Sequence, residues 1–287
     1  MIIYNPKDWW KLIFGFHKSD TFRIMMPGIL AMGLYTAIIV YLEREILDIE
    51  FKNTTTIHSL VGFVLSLLLV FRTNTAYDRW WEGRKMWGGF VNSSRNLAIK
   101  LNAMLEDKVI KERLKIMLGN YIGVVKDHLR NGVQIEEIVA CDKYSVEDFT
   151  KADHVPNHIF KLFMIEINEL LKKKMISSEQ LLFINEELRS FSDYLGACER
   201  IKKTPIPYSY SIFLKKIIFI YIASMPFGFA MEFGYWSIMI VALLFYVFGS
   251  IELLAEEIED PFGTDANDLP TEQISITIRE NLDEIMR

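Results

Sequence analysis

The sequence predicts an all-α integral membrane protein in which four transmembrane helices continue into a helical cytosolic domain. Hydrophobic residues make up 51% of the chain and charged residues 24%, a mixture typical of membrane spans joined to an aqueous domain. Four apolar stretches carry no formal charge. No segment alternates with the period of a β-strand. No proline lies between Pro27 and Pro156, which permits long helices.

The candidate spans, in chain order, are residues 24–42, 57–71, 217–231 and 233–251. As helices, the second and third would each cover only about 22 Å. The hydrocarbon core of a bilayer is about 30 Å thick. We therefore expect neighbouring protein to shield these two spans from lipid.

Lysine and arginine predict the orientation, because they concentrate on the cytoplasmic side of a membrane. They crowd before the first span, after the second and before the third, whereas the loop at 43–56 carries two and the link after the third span none. We therefore expect a multi-pass protein of the inner (plasma) membrane with both termini and residues 72–205 in the cytoplasm. The N-terminus lacks a signal-peptide cleavage pattern and reads as an amphipathic anchor.

These observations divide the chain into four regions. Residues 1–100 would hold the anchor and the first two spans with a cytosolic extension, and residues 101–205 a cytosolic helical region. Residues 206–255 would hold the last two spans, and residues 256–287 an acidic segment and the C-terminal tail. The Thr-Pro-Ile-Pro sequence at 204–207 is a strong helix break before the third span.

The second span is the most informative part of the chain, because it passes without a helix-stop cluster into a stretch rich in charge and tryptophan. On a helix turning about 100° per residue, Phe63, Leu67 and Phe71 lie on one stripe about 80° wide. Asn74 and Asp78 continue the same face. An apolar neck followed by a polar lumen is typical of a pore that gates by dewetting. The alternative is that these side chains are ordinary contacts between helices.

Carboxylates gather after the last span, around a Pro-Phe-Gly turn. Asp265, Asn267 and Asp268 could offer hard oxygen ligands, of which calcium takes six to eight. The spacing is not that of an EF-hand, and capping of the turn is the alternative role. A phosphotransferase using Asp260, Asp265 and Asp268 is a further possibility, although the second aspartate cluster that such enzymes need is not evident.

Other candidate chemistry is weak. His154 and His158 have the spacing of zinc ligands, but Pro156 interrupts the helix that would align them. Cys141 and Cys198 are too few for a disulfide framework. The formal net charge of −5 gives no support to nucleic-acid binding.

Five short motifs follow one another along the chain: FRTN at 71–74, YDRWWEGR at 77–84, CER at 198–200, TPIP at 204–207 and DPFG at 260–263. This ordered series resembles the bacterial branch of the bestrophins, over about residues 8–282. The resemblance implies a homopentameric channel with four membrane helices per subunit and one pore on the five-fold axis. Its expected partners are the lipid bilayer and small monovalent ions.

The resemblance also implies roles for particular residues. The family's neck consists of three apolar rings spaced by four on the second helix. Counting back from the tryptophan pair places these rings at Phe63, Leu67 and Phe71. A cytosolic aperture ring is expected upstream of Cys198, at Leu182 by spacing, with Leu181 or Ile184 nearly as good.

Calcium binding is expected only of the eukaryotic members, at an acidic run after Pro-Phe-Gly. Asp265 and Asp268 match carboxylate positions of that run, but Thr264, Ala266 and Asn267 replace acidic ones. This departure counts against calcium gating, and we expect no cofactor.

The permeant ion stays open at this point. The family implies a channel for chloride or other anions. Asp78 and the outer-loop acids Glu43, Glu45, Asp48 and Glu50 would instead concentrate cations, so a sodium-type cation channel of the same fold is the alternative. A metal-dependent membrane enzyme or a non-conducting helical scaffold is the third reading.

Overall fold

The computed structural model describes residues 20–47 and 54–287, and helices account for all the regular structure in them. This confirms the all-helical prediction. The N-terminal anchor predicted from the first residues lies outside the described ranges. The α-helices are α1 Asp20–Tyr41, α2 Thr54–Met104, α3 Lys108–His128, α4 Val146–Thr150, α5 Val155–Lys172, α6 Ser178–Lys203, α7 Tyr208–Ser224, α8 Pro226–Phe233, α9 Trp236–Glu259 and α10 Thr271–Ile285.

Four helical stretches are long and apolar enough to cross a membrane: Thr21–Ile46, Thr56–Met104, Tyr208–Phe233 and Trp236–Glu259. The four predicted spans are thereby confirmed. They are longer than their uncharged cores because each helix continues into polar residues. The third is α7 followed by α8, and it breaks at Pro226 because proline lacks the N–H that would continue the helix.

The described chain divides into two compact units. The membrane unit comprises the described residues up to 79 together with 205–259, and the polar unit comprises residues 80–204 and 260–287. Helix α2 runs for 51 residues and contributes to both. As predicted, it contains no break.

Glycines allow close packing in the membrane unit, where small residues commonly let helices approach. A Cβ at Gly62 of α2 would overlap the Tyr221 hydroxyl of α7, and one at Gly28 of α1 would lie 2.7 Å from the Phe245 ring of α9. A larger residue at either position would therefore force the aromatic side chain opposite it to move. The buried core of this unit consists of Met32, Leu65, Leu69, Ile218, Tyr221, Ile222, Met225 and Val241.

The polar unit is built around aromatic side chains. Trp87 and Phe90 of α2 are fully buried, and their ring centroids lie 5.6 Å apart. The Tyr121 ring of α3 packs edge-on against Phe191 of α6, and its hydroxyl donates to the Phe191 carbonyl at 3.1 Å. The Phe90 ring in turn packs edge-on against Tyr121, with centroids 6.4 Å apart, so these contacts hold α2, α3 and α6 together.

The acidic segment before α10 is docked on α2 within the polar unit. Phe262 is buried, and a Cβ at Gly83 would lie 3.1 Å from its ring. The Trp80 indole donates to the Asn267 carbonyl at 3.0 Å. The Trp-Trp-Glu-Gly and Pro-Phe-Gly motifs, which are far apart in the sequence, are therefore two sides of one contact.

Arg72 is the principal buried charge of the membrane unit. Its side chain is 1% exposed, and Nη2 lies 2.7 Å from Glu259 Oε2 while Nε lies 3.5 Å from Glu252 Oε2. Glu259 also accepts from the Ile206 N–H at 2.7 Å. A charge inside a membrane segment must be paired in this way, so Arg72 ties α2 to the end of α9 and to the chain entering α7.

Replacing Arg72 should strongly destabilise the membrane unit. In the variant Arg72→Met, the buried Glu252 and the largely buried Glu259 would lose their cation, which typically costs about 3 to 5 kcal/mol. The free energy of unfolding in detergent measures this loss. The control is Lys215→Met, because Lys215 and Glu256 are about half exposed and such pairs contribute about 1 kcal/mol or less. Equal stability of the two variants would contradict the structural role given to Arg72.

Candidate functional site

Helix α2 buries one face and exposes the opposite one within the membrane unit. Leu65, Leu69, Arg72 and Ala76 form the buried face. On the other side Phe63 is 69% exposed, Leu67 48% and Phe71 55%. These three side chains are therefore not core contacts within one chain.

The exposed face continues as predicted into polar residues. Asn74 and Asp78 are both exposed, and with Phe63, Leu67 and Phe71 they define what we call the exposed stripe. Among the described residues Asp78 makes no ion pair. Arg72 lies on the opposite, buried face and is neutralised by two carboxylates, so it adds no positive charge to the stripe.

Leu60 belongs to the same surface, although it was not among the residues predicted from sequence. It precedes Phe63 by three positions, so it lies close to it on the helix face, and it is 67% exposed. The helical period that predicts a neck contains this signal as well. The apolar part of the exposed stripe therefore includes Leu60.

The two outer-loop acids that the structure describes differ in exposure. Glu43 is buried in the π-helical turn Leu42–Leu47, whereas Glu45 in the same turn is exposed. Asp48 and Glu50 lie outside the described residues. Of the two described acids, only Glu45 is placed to attract ions from solution.

The three aperture candidates on α6 differ in exposure. Leu182 is 74% exposed, Leu181 is half-buried against the core of the polar unit, and Ile184 is fully buried. Nearby, the Lys100 ammonium donates to the Phe183 carbonyl at 2.8 Å and to Glu187 Oε1 at 2.6 Å. Only Leu182 presents most of its side chain outward, and this bond network fixes the turn that carries it.

The acidic turn uses its carboxylates unequally. Asp268 is buried, and its Oδ2 accepts from the Asp265 N–H at 2.6 Å, while the Asp265 side chain is exposed. Burial raises the pKa of Asp268 to about 6, and the negative charges of Asp265 and Asp260 add to this. Asp268 Oδ1 is buried without a hydrogen-bond partner among the described residues. Within the described part of the chain, the arrangement is a capped turn in which one carboxylate oxygen accepts no hydrogen bond.

One group of potential metal ligands lies outside the acidic turn. In the described part of the chain, one group of three or more histidine, cysteine or acidic side chains is close enough to share an ion, and it contains none of Asp260, Asp265 and Asp268. His154 and His158 do not meet. His158 pairs with the Asp148 carbonyl at 2.9 Å, whereas His154 turns towards Glu199.

Comparison with known proteins gives consistent relationships. The family model described as Bacterial/Fungal Bestrophin protein matches residues 1–284. A voltage-dependent anion channel-forming protein of Nostoc sp. is 33% identical over 287 residues, covering 97% of this chain and 92% of the relative. A protein of the same description from Escherichia coli K12 is 29% identical over 286 residues, covering 98% and 93%.

The solved structures agree with these relationships. A single-residue variant of a bacterial bestrophin homologue from Klebsiella pneumoniae superposes with a TM-score of 0.83 and 27% identity, covering 91% of this chain and 98% of that chain. Together with the four apolar helices, these matches identify a multi-pass membrane protein. The chain belongs to the bacterial and fungal bestrophin family, as its ordered motifs predicted.

Proposed function

We propose that this chain is the subunit of a homopentameric ion channel that conducts small anions, chloride foremost, through a pore lined by the exposed stripe of α2. The observation that carries the proposal is the division of α2 into a buried face and an exposed face that is apolar from Phe63 to Phe71 and polar at Asn74 and Asp78. Five such stripes around one axis would form a dry neck above a wet lumen, a geometry that gates by dewetting.

Anions come first because relatives covering nearly the whole chain are described as voltage-dependent anion channel-forming proteins. Leu182 would form a second constriction. Both termini and the polar unit would lie in the cytoplasm of a cell whose inner membrane holds the channel, as the lysine and arginine distribution favours. The channel would work without a cofactor and without catalysis.

A cation channel of the same fold is the second candidate. Asp78 is the observation that favours it, because its carboxylate is exposed, makes no ion pair among the described residues and lies directly after the proposed neck. Five such carboxylates would raise the local concentration of cations.

Shortening the three neck side chains should increase ion current. In Phe63→Ala, Leu67→Ala and Phe71→Ala combined, we expect single-channel currents or open probability in planar bilayers to rise about tenfold, which corresponds to about 1.4 kcal/mol off the barrier. The same preparation should have a protein mass in detergent of five chains of 33.5 kDa each.

A matched control lies on α1. Leu30, Leu34 and Ile38 have the same spacing, and their exposed fractions are 66%, 66% and 50%. Their replacement by alanine should leave the current unchanged. Absence of current in wild type and both variants would support the non-conducting scaffold, and a rise only in the α1 variant would mean that the stripe does not line the path.

The reversal potential under asymmetric NaCl tests the sign of the permeant ion. Anion flow moves it towards the chloride equilibrium potential, and the opposite shift would establish the cation alternative.

The variant Asp78→Asn should raise the anion-to-cation permeability ratio about two- to fivefold, since one charge at contact distance in water is worth about 1 kcal/mol. Glu106→Gln is the control, because Glu106 is an exposed acid between α2 and α3. An unchanged ratio in Asp78→Asn would remove Asp78 from the conducting path.

Asp268 should make stability depend on pH. Its pKa is about 6 in the folded chain and about 3.9 when unfolded. The folded state therefore holds the proton more tightly, and stability falls by about 2 to 3 kcal/mol as the pH rises from about 4 to above 6. Asp268→Asn should remove this decline, measured by melting in detergent across that range.

Millimolar calcium should leave the melting temperatures of the wild type and of Asp268→Asn unchanged. Stabilisation of the wild type alone by calcium would contradict the proposed independence of calcium.

A further inference from the structure

We propose that His128, His154 and Glu199 form a binding site for a divalent transition-metal ion, with Zn²⁺ as the representative, in the polar unit. This inference is independent of the channel function. The three residues come from separate elements: His128 ends α3, His154 immediately precedes α5 and Glu199 lies in the last third of α6. Their separations of 71 and 45 positions from Glu199 explain why no sequence motif shows them together.

The donor atoms already converge on one point. His128 Nε2 and His154 Nε2 each lie 2.7 Å from Glu199 Oε1, and the imidazole centroids are 4.6 Å apart. All three donor atoms lie within 4.8 Å of one another. Zinc bonds of about 2.0 to 2.2 Å to nitrogen and oxygen require the donors to stand about 3.3 to 3.5 Å apart. Small side-chain rotations would achieve this without a change of backbone.

The chemistry of the donor set selects the class of ion. Two imidazole nitrogens and one carboxylate suit Zn²⁺, Co²⁺, Ni²⁺ and Cu²⁺, whereas Ca²⁺ and Mg²⁺ prefer all-oxygen sites. The side chains keep between about a fifth and a third of their surface exposed. Water can therefore complete the coordination, and an ion can enter from solvent.

The tautomer of His154 determines which proton an ion would displace. His154 Nδ1 accepts from the Asn157 N–H at 3.2 Å, so its Nε2 carries the proton and donates to Glu199. An ion bound at Nε2 would replace that proton and move it to Nδ1, which gives up the cap of α5. One cap bond is a small loss beside three metal–ligand bonds.

Two of the neighbouring cations are already engaged. Arg200 pairs with Glu82, and Lys202 donates to the carbonyls of Leu129 and Arg130. Lys203 places a further positive charge near Glu199 and lowers the affinity for a cation. An ion at this site would tie the end of α3, the start of α5 and the end of α6 together.

Zinc binding to the purified full-length protein in detergent tests the proposal. After treatment with a chelator, the wild type should bind one Zn²⁺ per chain in competition with a chromophoric indicator, and Zn²⁺ but not Ca²⁺ or Mg²⁺ should raise its melting temperature. His128→Gln and Glu199→Gln should each weaken the affinity by about 100-fold or more, since even indirect supports of metal ligands are worth 10- to 100-fold.

Two controls address binding elsewhere. His158→Gln removes a nearby histidine that is bonded to the Asp148 carbonyl, and Cys141→Ser removes a free, partly exposed thiol. Both should bind zinc as the wild type does. Unchanged zinc affinity in His128→Gln and Glu199→Gln would overturn the proposal.

Cobalt gives a readout that needs no variant. Co²⁺ bound by two imidazoles, a carboxylate and water should produce intense visible absorption bands of four-coordinate cobalt, and one equivalent of Zn²⁺ should abolish them. If a ligand variant does not fold, this wild-type spectrum decides. A wild type that binds less than one equivalent and shows no such bands would refute the site.

Discussion

Burial of the Arg72 guanidinium fixes how the membrane unit is assembled. A cation in an apolar environment is tolerated only beside anions, so α2 must turn Arg72 towards Glu252 and Glu259 of α9. That requirement sets the rotation of α2 about its axis. Phe63, Leu67 and Phe71 lie on the opposite side of the helix and are therefore held outward. The ion pair on the buried face of α2 therefore determines which apolar side chains lie on its exposed face.

Much of this arrangement could be predicted from sequence, because it is local to α2. The absence of proline and the period of the apolar residues were enough for the unbroken helix and for the positions of Phe63, Leu67 and Phe71. The spans were also predictable, since hydropathy does not depend on tertiary contacts. For the expected aperture residue, spacing alone left Leu181, Leu182 and Ile184 open, and the folded chain shows that Leu182 is the most exposed of the three.

What the sequence could not predict depends on contacts between distant segments. Glu43 looks like a solvent-facing loop acid by composition, yet the π-helical turn buries it. His154 pointed to a weak pair with His158, while its real neighbours, His128 and Glu199, come from other helices. The contact of Gly83 with Phe262 shows the same limit. The motifs that contain these two residues are both visible in the sequence, but the packing of one on the other is not.

The proposed neck has a consequence for how ions would be ranked. The side chains of Phe63, Leu67 and Phe71 carry no polar group, so none of them could replace the water that an ion sheds on entering. The penalty for losing that hydration shell falls as an ion grows larger and its charge more diffuse. Passage between such side chains would then follow an order of dehydration energies, with weakly hydrated ions ahead of compact ones of equal charge. Asp78, beyond the neck, could bias the choice between signs but would not change that order.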